Sequence, residues 1–521
     1  MRKVELYDTT LRDGAQTEGI SYSVSDKLKI AQKLDTLGIQ YIEGGWPGSN
    51  PKDMQFFKQV KKLRLKSAKI CAFGSTSRPH LDPKKDANIK ALLKAETGVV
   101  TLFGKSWDLH VKHVLKTSAD ENLKMISSSI KYLKSKGRKV IYDAEHFFDG
   151  ARDNLDYALK TLLAAEEAGA DVIVLCETNG GVVTSALAQL IREVHLKLNT
   201  PLGIHTHNDS GMAAANTIAA VEEGCVHVQG TINGYGERCG NADLGVCIAN
   251  LKLKLGINCV SDNQLNKLTE VSHYVSEVSN MRHRPNQPFV GESAFAHKGG
   301  VHINAMVKHH ATYEHIRPNL VGNKSRFLIS ELSGRTSILL RAKQLELGLE
   351  KEAAHTKKIL KLLQKMEHEG YQFEAAEGSF ELLMKKAMKK YKKFFDLEGF
   401  RVIIEKAKSG KLTSEATIKV KVNKIEEYTA SEGDGPVNAL DNALRKALLE
   451  FYPALAKMHL RDFKVRVLDE RAGTAAKVRV LIQSQDEKDS WGTVGVSENI
   501  IEASWQALVD SIEYKLLKDR K

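Results

Sequence analysis

Three short segments, VELYDTT (residues 4–10), DKLKIAQKLDTL (26–37) and YIEGG (41–45), decide the fold class. The outer two are short runs of the kind that form β-strands. In the middle segment Leu28, Ala31, Leu34 and Leu37 repeat at helical spacing, and Gly38 is placed to end the helix. A strand, a helix and a second strand in this order predict one βα unit of a parallel sheet.

The same alternation continues through about the first 255 residues, where we predict eight strands. Eight successive βα units favour a closed (β/α)8 TIM barrel over an open, doubly wound sheet. No G-x-G-x-x-G follows the first strand, which counts against a dinucleotide-binding fold. The predicted strands cover residues 4–10, 41–45, 69–74, 99–103, 139–145, 172–177, 202–207 and 226–233.

The rest of the chain changes character twice. After the barrel, predicted over residues 1–275, the segment 276–395 has helical patterns broken by prolines and by Gly299-Gly300, which indicates helical linker subdomains. Residues 396–521 alternate strands with two helices that begin after glycine-containing turns, which predicts an α+β domain with a weak internal repeat. This last domain has no obvious catalytic group, so we expect a regulatory or dimerising role.

Composition excludes several classes of protein. The 521 residues are 42% hydrophobic, and no run approaches the ~20 apolar residues of a membrane span. The six cysteines form no C-x-x-C pair, and the N-terminal residues carry no export signal, so we expect a cytoplasmic protein. The net charge is +13, but acidic residues are interspersed along most of the chain and the sequence contains no recognisable nucleic-acid-binding module. A positive field of this kind favours anionic small-molecule substrates.

A metal site is predicted at the end of strand seven, in GIHTHND (203–209). His205 and His207 are two residues apart on a strand, so both side chains point to the barrel interior. The carboxyl ends of barrel strands build the active site, where two imidazoles can hold one metal ion. The alternative is a pair of core histidines satisfied by hydrogen bonds.

Three further segments put polar groups at the same end of the barrel. Arg12 and Asp13 follow strand one and offer a planar cation and a hard oxygen ligand, or else a structural ion pair. The loop GYGERCGNA (234–242) after strand eight can bring the amide oxygen of Asn241 inward. Asp143 and Glu145 share the inward face of strand five, where either is a candidate acid or base or a member of a buried ion pair.

The motifs DTTLRDG (8–14), HTHND (205–209) and GERCGNA (236–242) occur together in this order, and over nearly its whole length the chain resembles the isopropylmalate, homocitrate and citramalate synthase family. These enzymes are metal-dependent Claisen-condensing barrels. The resemblance implies that Asp13, His205, His207 and Asn241 bind the metal. It also implies that Arg12 polarises the keto oxygen and that Thr178 binds the substrate carboxylate. The family's histidine over the barrel mouth is matched by His302, with Tyr313 as its companion and His297 as the competing candidate.

The implied reaction joins acetyl-CoA to a 2-oxo acid and then hydrolyses the thioester. The implied cofactor is a divalent ion, either Mn²⁺, Mg²⁺, Co²⁺ or Zn²⁺, which retains open positions for the 2-oxo acid. Glu145 and the His302 and Tyr313 pair are candidates for proton transfer, although the sequence does not assign the base.

The segments YDTTLRDGAQTEG (7–19) and EGGWPGSNP (43–51) resemble the citramalate-forming branch of the family, which uses pyruvate. Phe73, Leu102 and Phe103 are candidates for the wall behind the substrate methyl, or else core residues. The C-terminal domain is similar to the family's regulatory domain, which implies a homodimer and feedback by isoleucine. Alternatives are a 2-isopropylmalate synthase using 2-oxoisovalerate, a homocitrate synthase, a lyase of hydroxymethylglutaryl-CoA type and a basic binding protein without activity.

Overall fold

The computed structural model describes residues 3–328, 354–468 and 475–520. The chain forms two compact units. The first comprises Met1–Phe295 with Glu314–Ser325, and the second comprises Ala296–Tyr313 with Arg326–Lys521. The predicted domain borders at residues 275 and 395 differ from these limits and stay a prediction.

The first unit is built around eight parallel strands that close into a barrel. The first strand pairs with the second on one side and with the eighth on the other, so the sheet closes on itself. The predicted (β/α)8 barrel is therefore confirmed. Its strands are β1 (Glu5–Asp8), β2 (Tyr41–Gly45), β3 (Lys69–Ser75), β4 (Val99–Lys105), β5 (Lys139–Glu145), β6 (Val172–Glu177), β7 (Leu202–Thr206) and β8 (His227–Gly230).

A helix follows each strand, and the apolar faces of these helices form one large core with the outer face of the barrel. The first helix shows why these residues are helical. Ser23 and Asp26 form a capping box at its start, and Gly38 ends it with a φ of 86°. The helices are α1 (Val24–Leu37), α2 (Pro51–Val60), α3 (Ala87–Lys94), α4 (Ala119–Ser135), α5 (Phe147–Glu167), α6 (Thr184–His195), α7 (Ala213–Glu222) and α8 (Leu244–Leu253).

A second apolar cluster fills the barrel interior. Tyr7, Tyr41, Cys71 and Val99 belong to it, and the ring of His227 packs 5.3 Å from Tyr7 and 5.7 Å from Tyr41 between ring centroids. Because this layer fills the barrel, the cavity for a ligand lies above it, at the carboxyl ends of the strands.

The first unit continues beyond the barrel with α9 (Leu268–Val278), whose apolar face joins the outer core. Within the described ranges, no helix combines the length and apolar character that crossing a membrane requires.

The second unit contains mostly helices before its sheets, as predicted, and also one pair of two-residue parallel strands. The part of the predicted linker between residues 329 and 353 lies outside the described residues. The elements are β9 (Ala296–His297), α10 (Gly300–Lys308), β10 (Arg326–Phe327), α11 (Ala354–His368) and α12 (Glu377–Ala387).

Two lobes of the same design complete the second unit. Each is a three-stranded antiparallel sheet that is followed in the chain by one long helix, and this helix packs on the sheet. The α+β domain expected from the weak repeat is therefore confirmed. The first lobe contains β11 (Asp396–Lys406), β12 (Leu412–Val422), β13 (Ile425–Gly433) and α13 (Pro436–Leu448). The second contains β14 (His459–Val467), β15 (Val478–Gln485), β16 (Ser490–Ser497) and α14 (Ile500–Asp519).

Candidate active site

A cavity of about 220 Å³ opens at the carboxyl ends of the barrel strands. Every strand, or the residues directly after it, contributes to its wall. Its polar side includes Arg12, Asp13, Asp143, Glu145, Thr178, His205, His207, Glu237 and Arg238, and its apolar side includes Trp46, Phe73, Phe103 and Cys176. Nine of the residues predicted from sequence therefore meet in one cavity.

Asp13, His205 and His207 form a compact, buried group of metal-ligand type. The two Nε2 atoms of the histidines lie 3.2 Å apart. Asp13 Oδ2 lies 3.4 Å from Nε2 of His205 and 3.9 Å from Nε2 of His207. All three donor atoms therefore converge on one point.

The protonation of Asp13 and His207 suits a cation. Burial alone would raise the pKa of Asp13, but Arg12 and the histidines hold it well below its usual range, so the carboxylate is charged. Burial and the neighbouring His205 lower the pKa of His207 to about 3. A neutral imidazole beside a carboxylate is the form that ligates a metal.

Asn241, the fourth predicted ligand, lies beside His207. Its amide nitrogen donates to the carbonyl of Tyr235 at 3.1 Å, while its buried Oδ1 has no hydrogen-bond partner among the described residues. The strand-like bridge between His207 and Asn241 holds the two residues side by side. Gly240 permits this path, since its φ is 89° and a Cβ there would lie 1.9 Å from the carbonyl oxygen of Gly234. The donor set of two imidazoles, a carboxylate and an amide oxygen thus fits a divalent ion.

Arg12 is held rigidly beside this group. Its Nε donates to Glu43 Oε1 at 2.5 Å, and its guanidinium lies 3.8 Å from the centroid of the Phe73 ring. Glu43 is fully buried and also accepts from Thr9 Oγ1 at 2.6 Å and from the hydroxyl of Tyr7. Glu43 and Phe73 therefore fix the position of the Arg12 guanidinium, which faces the cavity.

Three aromatic rings form the apolar wall. Phe73 and Phe103 stack with centroids 5.2 Å apart, and Trp46 meets them edge-on at 5.8 and 5.4 Å. Phe73 and Phe103 thus lie where they were predicted. Leu102 does not: it precedes Phe103 on β4, so its side chain points to the other face and packs in the core between barrel and helices.

The remaining predicted barrel residues line the cavity on its polar side. Glu145 pairs with Lys105, and Asp143 accepts a hydrogen bond from Gln229 at 3.0 Å. Burial, with the nearby charge of Glu43, raises the pKa of Asp143 to about 7. The hydroxyl of Thr178 accepts from the backbone N–H of His146 at 2.9 Å. Two inward carboxyls in different environments can therefore hold protons differently.

His302 and Tyr313 belong to the second unit, where their rings stack with centroids 4.1 Å apart. His302 lies in α10 and Tyr313 follows a short 3₁₀ turn, with 46% of its surface exposed. His297 lies in β9, in the same unit. The structure thus brings the predicted pair together, and its role at the barrel mouth stays a prediction.

Sequence reasoning missed several residues of the site. Arg238, in the loop after β8, donates to the Thr178 carbonyl at 2.7 Å and pairs with Asp209. Glu43, Trp46 and Gln229 were missed as well. The sequence did contain a sign of Gln229 and Glu43, since each is a polar residue within a segment predicted to form a buried strand.

Three family models match the chain and agree with the division into a barrel and later domains. The model described as HMGL-like matches residues 3–275, and the model described as homocitrate synthase post-HMGL domain-like matches residues 289–370. The model described as LeuA allosteric (dimerisation) domain matches residues 374–516. The chain belongs to the HMGL-like family, among the isopropylmalate, homocitrate and citramalate synthases.

Full-length relatives narrow this further. The (R)-citramalate synthase of Geobacter sulfurreducens is 57% identical over 522 residues, covering 100% of this chain and 99% of that protein. The (R)-citramalate synthase of Aquifex aeolicus is 53% identical over 521 residues, covering 100% and 99%. A 2-isopropylmalate synthase of Methanocaldococcus jannaschii is 32% identical over 523 residues, covering 100% and 96%. The resemblance to the citramalate-forming branch is confirmed.

Proposed function

We propose that this chain is an (R)-citramalate synthase, an acyltransferase that condenses acetyl-CoA with pyruvate and water to give (R)-citramalate and CoA. The similarity to the (R)-citramalate synthases over the full chain supports the reaction. The observation that carries the choice of pyruvate is the wall of Trp46, Phe73 and Phe103. Three large rings in a cavity of about 220 Å³ favour a methyl group over a branched side chain.

Asp13, His205, His207 and Asn241 would hold the divalent ion, either Mn²⁺, Mg²⁺, Co²⁺ or Zn²⁺. When bound, the ion acts as a Lewis acid that polarises the keto group of the 2-oxo acid. The convergence of the three titratable donors and the unpartnered Oδ1 of Asn241 support this assignment.

Arg12 stabilises the negative charge that develops on the keto oxygen during carbon–carbon bond formation. Its permanent charge and its fixed position between Glu43 and Phe73 suit this role, because a preorganised donor needs no rearrangement in the transition state. Thr178 binds the substrate carboxylate through its hydroxyl, which lies on the cavity wall.

Glu145 and the His302 and Tyr313 pair are our candidates for proton transfer. A base removes a proton from the acetyl methyl, the resulting carbon attacks the keto carbon, and the new alkoxide takes up a proton. Water then cleaves the thioester, releasing CoA thiol and a carboxylate. Glu145 lies on the cavity wall, where its carboxyl group pairs with Lys105, and its place there supports a role in proton transfer.

The C-terminal lobes form a homodimer and bind a feedback inhibitor, isoleucine, in a pathway of branched-chain amino acid synthesis. The match of residues 374–516 to an allosteric, dimerising domain supports this part of the proposal. We place the enzyme in the cytoplasm, in agreement with the absence of any membrane-crossing helix from residues 3–328, 354–468 and 475–520.

The test is the release of free CoA thiol from acetyl-CoA with a panel of 2-oxo acids. We expect the highest kcat/KM with pyruvate, identification of the product as (R)-citramalate by chiral chromatography, and inhibition by isoleucine more than by leucine. A higher kcat/KM with 2-oxoisovalerate would assign the chain to isopropylmalate synthesis instead. Cleavage of hydroxymethylglutaryl-CoA without condensation would contradict the proposal.

A further inference from the structure

Gln229 lies in β8, beneath the proposed metal site, and is completely buried. Its amide bridges two residues of other strands. Oε1 lies 3.0 Å from Nδ1 of His205, and Nε2 lies 3.0 Å from Oδ1 of Asp143. Burying a glutamine is unfavourable unless both ends of its amide are hydrogen-bonded, and here both ends are.

The direction of these hydrogen bonds follows from their geometry. The amide nitrogen of Gln229 donates to Oδ1 of Asp143, so the amide oxygen at the other end of the side chain points to His205. An amide oxygen accepts only, so Nδ1 of His205 carries the hydrogen. A histidine that ligates a metal is neutral and has one ring hydrogen, so with that hydrogen on Nδ1 the lone pair of His205 lies on Nε2, the atom 3.4 Å from Asp13 Oδ2 and 3.2 Å from Nε2 of His207.

We propose that Gln229 is a positioning residue for His205: it selects the Nδ1–H form of the ring and orients Nε2 as a metal ligand, with Asp143 locking the amide in the required direction. The proposal rests on the metal site described under the proposed function. Ligating histidines are commonly oriented by an acceptor at the other ring nitrogen, and loss of that partner lowers metal affinity by about 10–100-fold.

Gln229→Met tests this assignment, because methionine has nearly the same length and volume but no hydrogen-bond acceptor of comparable strength. We expect the Kd for Mn²⁺, measured by calorimetric titration of the full chain, to rise about 10–100-fold. Gln229→Glu keeps an oxygen acceptor, and we expect its Kd to stay within about tenfold of the original. Equal losses in both variants, or none in Gln229→Met, would overturn the proposal.

The ring form of His205 gives a second measurement that does not depend on metal or activity. In the metal-free chain labelled with ¹⁵N-histidine, at alkaline pH where the rings are neutral, we expect a protonated Nδ1 and a bare Nε2 for His205. The signal is identified by its absence from His205→Gln. In Gln229→Met the two forms should mix or exchange. An unchanged spectrum would contradict the proposed role.

Gln40→Met is the matched control, since Gln40 accepts from the backbone N–H of Leu6 at the opposite end of the same barrel. This variant loses comparable hydrogen bonds, and we expect lower thermal stability with an unchanged Kd for Mn²⁺.

The proposed function and the proposed role of Gln229 can be refuted independently of each other. If the original chain binds Mn²⁺ and forms citramalate while Gln229→Met behaves identically, only the role of Gln229 is refuted. If the original chain forms no citramalate, the spectrum of His205 still decides this inference.

Discussion

The guanidinium carbon of Arg12 lies over the ring of Phe73, 3.8 Å from its centroid. One face of the ring thus carries the cation, while Phe73 also stacks on Phe103, which lines the cavity. Arg12, proposed to stabilise the oxyanion, is therefore packed against the aromatic wall that is proposed to select the substrate. A substitution in the wall should also affect the function of Arg12, and a substitution of Arg12 should affect substrate selection.

Glu43→Gln removes the buried charge that compensates Arg12. We expect a loss of roughly 3 kcal/mol in the free energy of unfolding, because the change leaves Arg12 without its nearest counter-charge, while Asp13 remains 3.6 Å away. Chemical denaturation measures this value. The matched control is Glu223→Gln, which breaks an ion pair with the more exposed Arg192. That change should cost less than about 1 kcal/mol, and equal losses would contradict the importance of burial.

Phe103→Ala should widen the cavity and shift the substrate preference. We expect the ratio of kcat/KM for 2-oxobutyrate over pyruvate to rise at least about tenfold, the usual discrimination for one methylene in an apolar pocket. Leu102→Ala is the control on the adjacent position. It should destabilise the fold by about 2–5 kcal/mol through the cavity it leaves in the core, without changing this ratio. A shift of preference in the Leu102 variant would refute the orientation of β4.

His227 makes the stability of the barrel depend on pH. Burial lowers the pKa of His227 in the folded chain to about 3, against an ordinary value of 6.5. The unfolded chain therefore binds more protons between these values, so the stabilisation is complete above pH 6.5 and is lost as the pH falls toward 3. His227→Phe should flatten this part of the profile of unfolding free energy against pH. The slope it removes is up to about 1.4 kcal/mol per pH unit, and an unchanged slope would contradict the shift.

Chelation should abolish thiol release, and added Mn²⁺ should restore it. His207→Ala should prevent this restoration at metal concentrations that saturate the original chain, because it removes one of four ligands. His195→Ala changes an exposed histidine at the end of α6 and should behave as the original chain does. Full activity of His207→Ala after dialysis against a chelator would exclude the assigned metal site.

Cys239 should be the cysteine that reacts first with iodoacetamide. It is exposed in the loop that carries Asn241, whereas the other five cysteines are buried. We expect one adduct per chain under native conditions and a weakened affinity for Mn²⁺, because the adduct crowds the loop beside the ligand. Mass spectrometry counts the adducts. Cys239→Ser should remain unlabelled and retain its metal affinity, and rapid labelling of that variant would place another thiol at the surface.

The barrel and the convergence of His205 and His207 were predictable because both depend on short-range patterns. Strand and helix alternate with clear periods, and His205 and His207 two residues apart on a strand must share one face. The same rule explains the error at Leu102. Neighbouring residues on β4 face opposite sides, and choosing between Leu102 and Phe103 requires the register of the barrel, which pattern alone left open.

The other residues of the site depend on partners distant along the chain. Trp46 reaches the cavity because the segment after β2 turns inward, where its indole nitrogen donates to Asn88 Oδ1 at 2.6 Å. Gln229 is meaningful only beside His205 and Asp143, which lie on other strands. Such contacts follow from the closure of the sheet, and a polar residue in a buried strand indicates only that a partner exists.

The opposite orientations of Leu102 and Phe103 bear on how such a barrel changes its chemistry over time. At the carboxyl ends of the strands, residues on the outer side pack against the helices, and residues on the inner side line the cavity. Successive substitutions among the residues that line the cavity can therefore change which 2-oxo acid is preferred. The outer core, which stabilises the fold, is left intact.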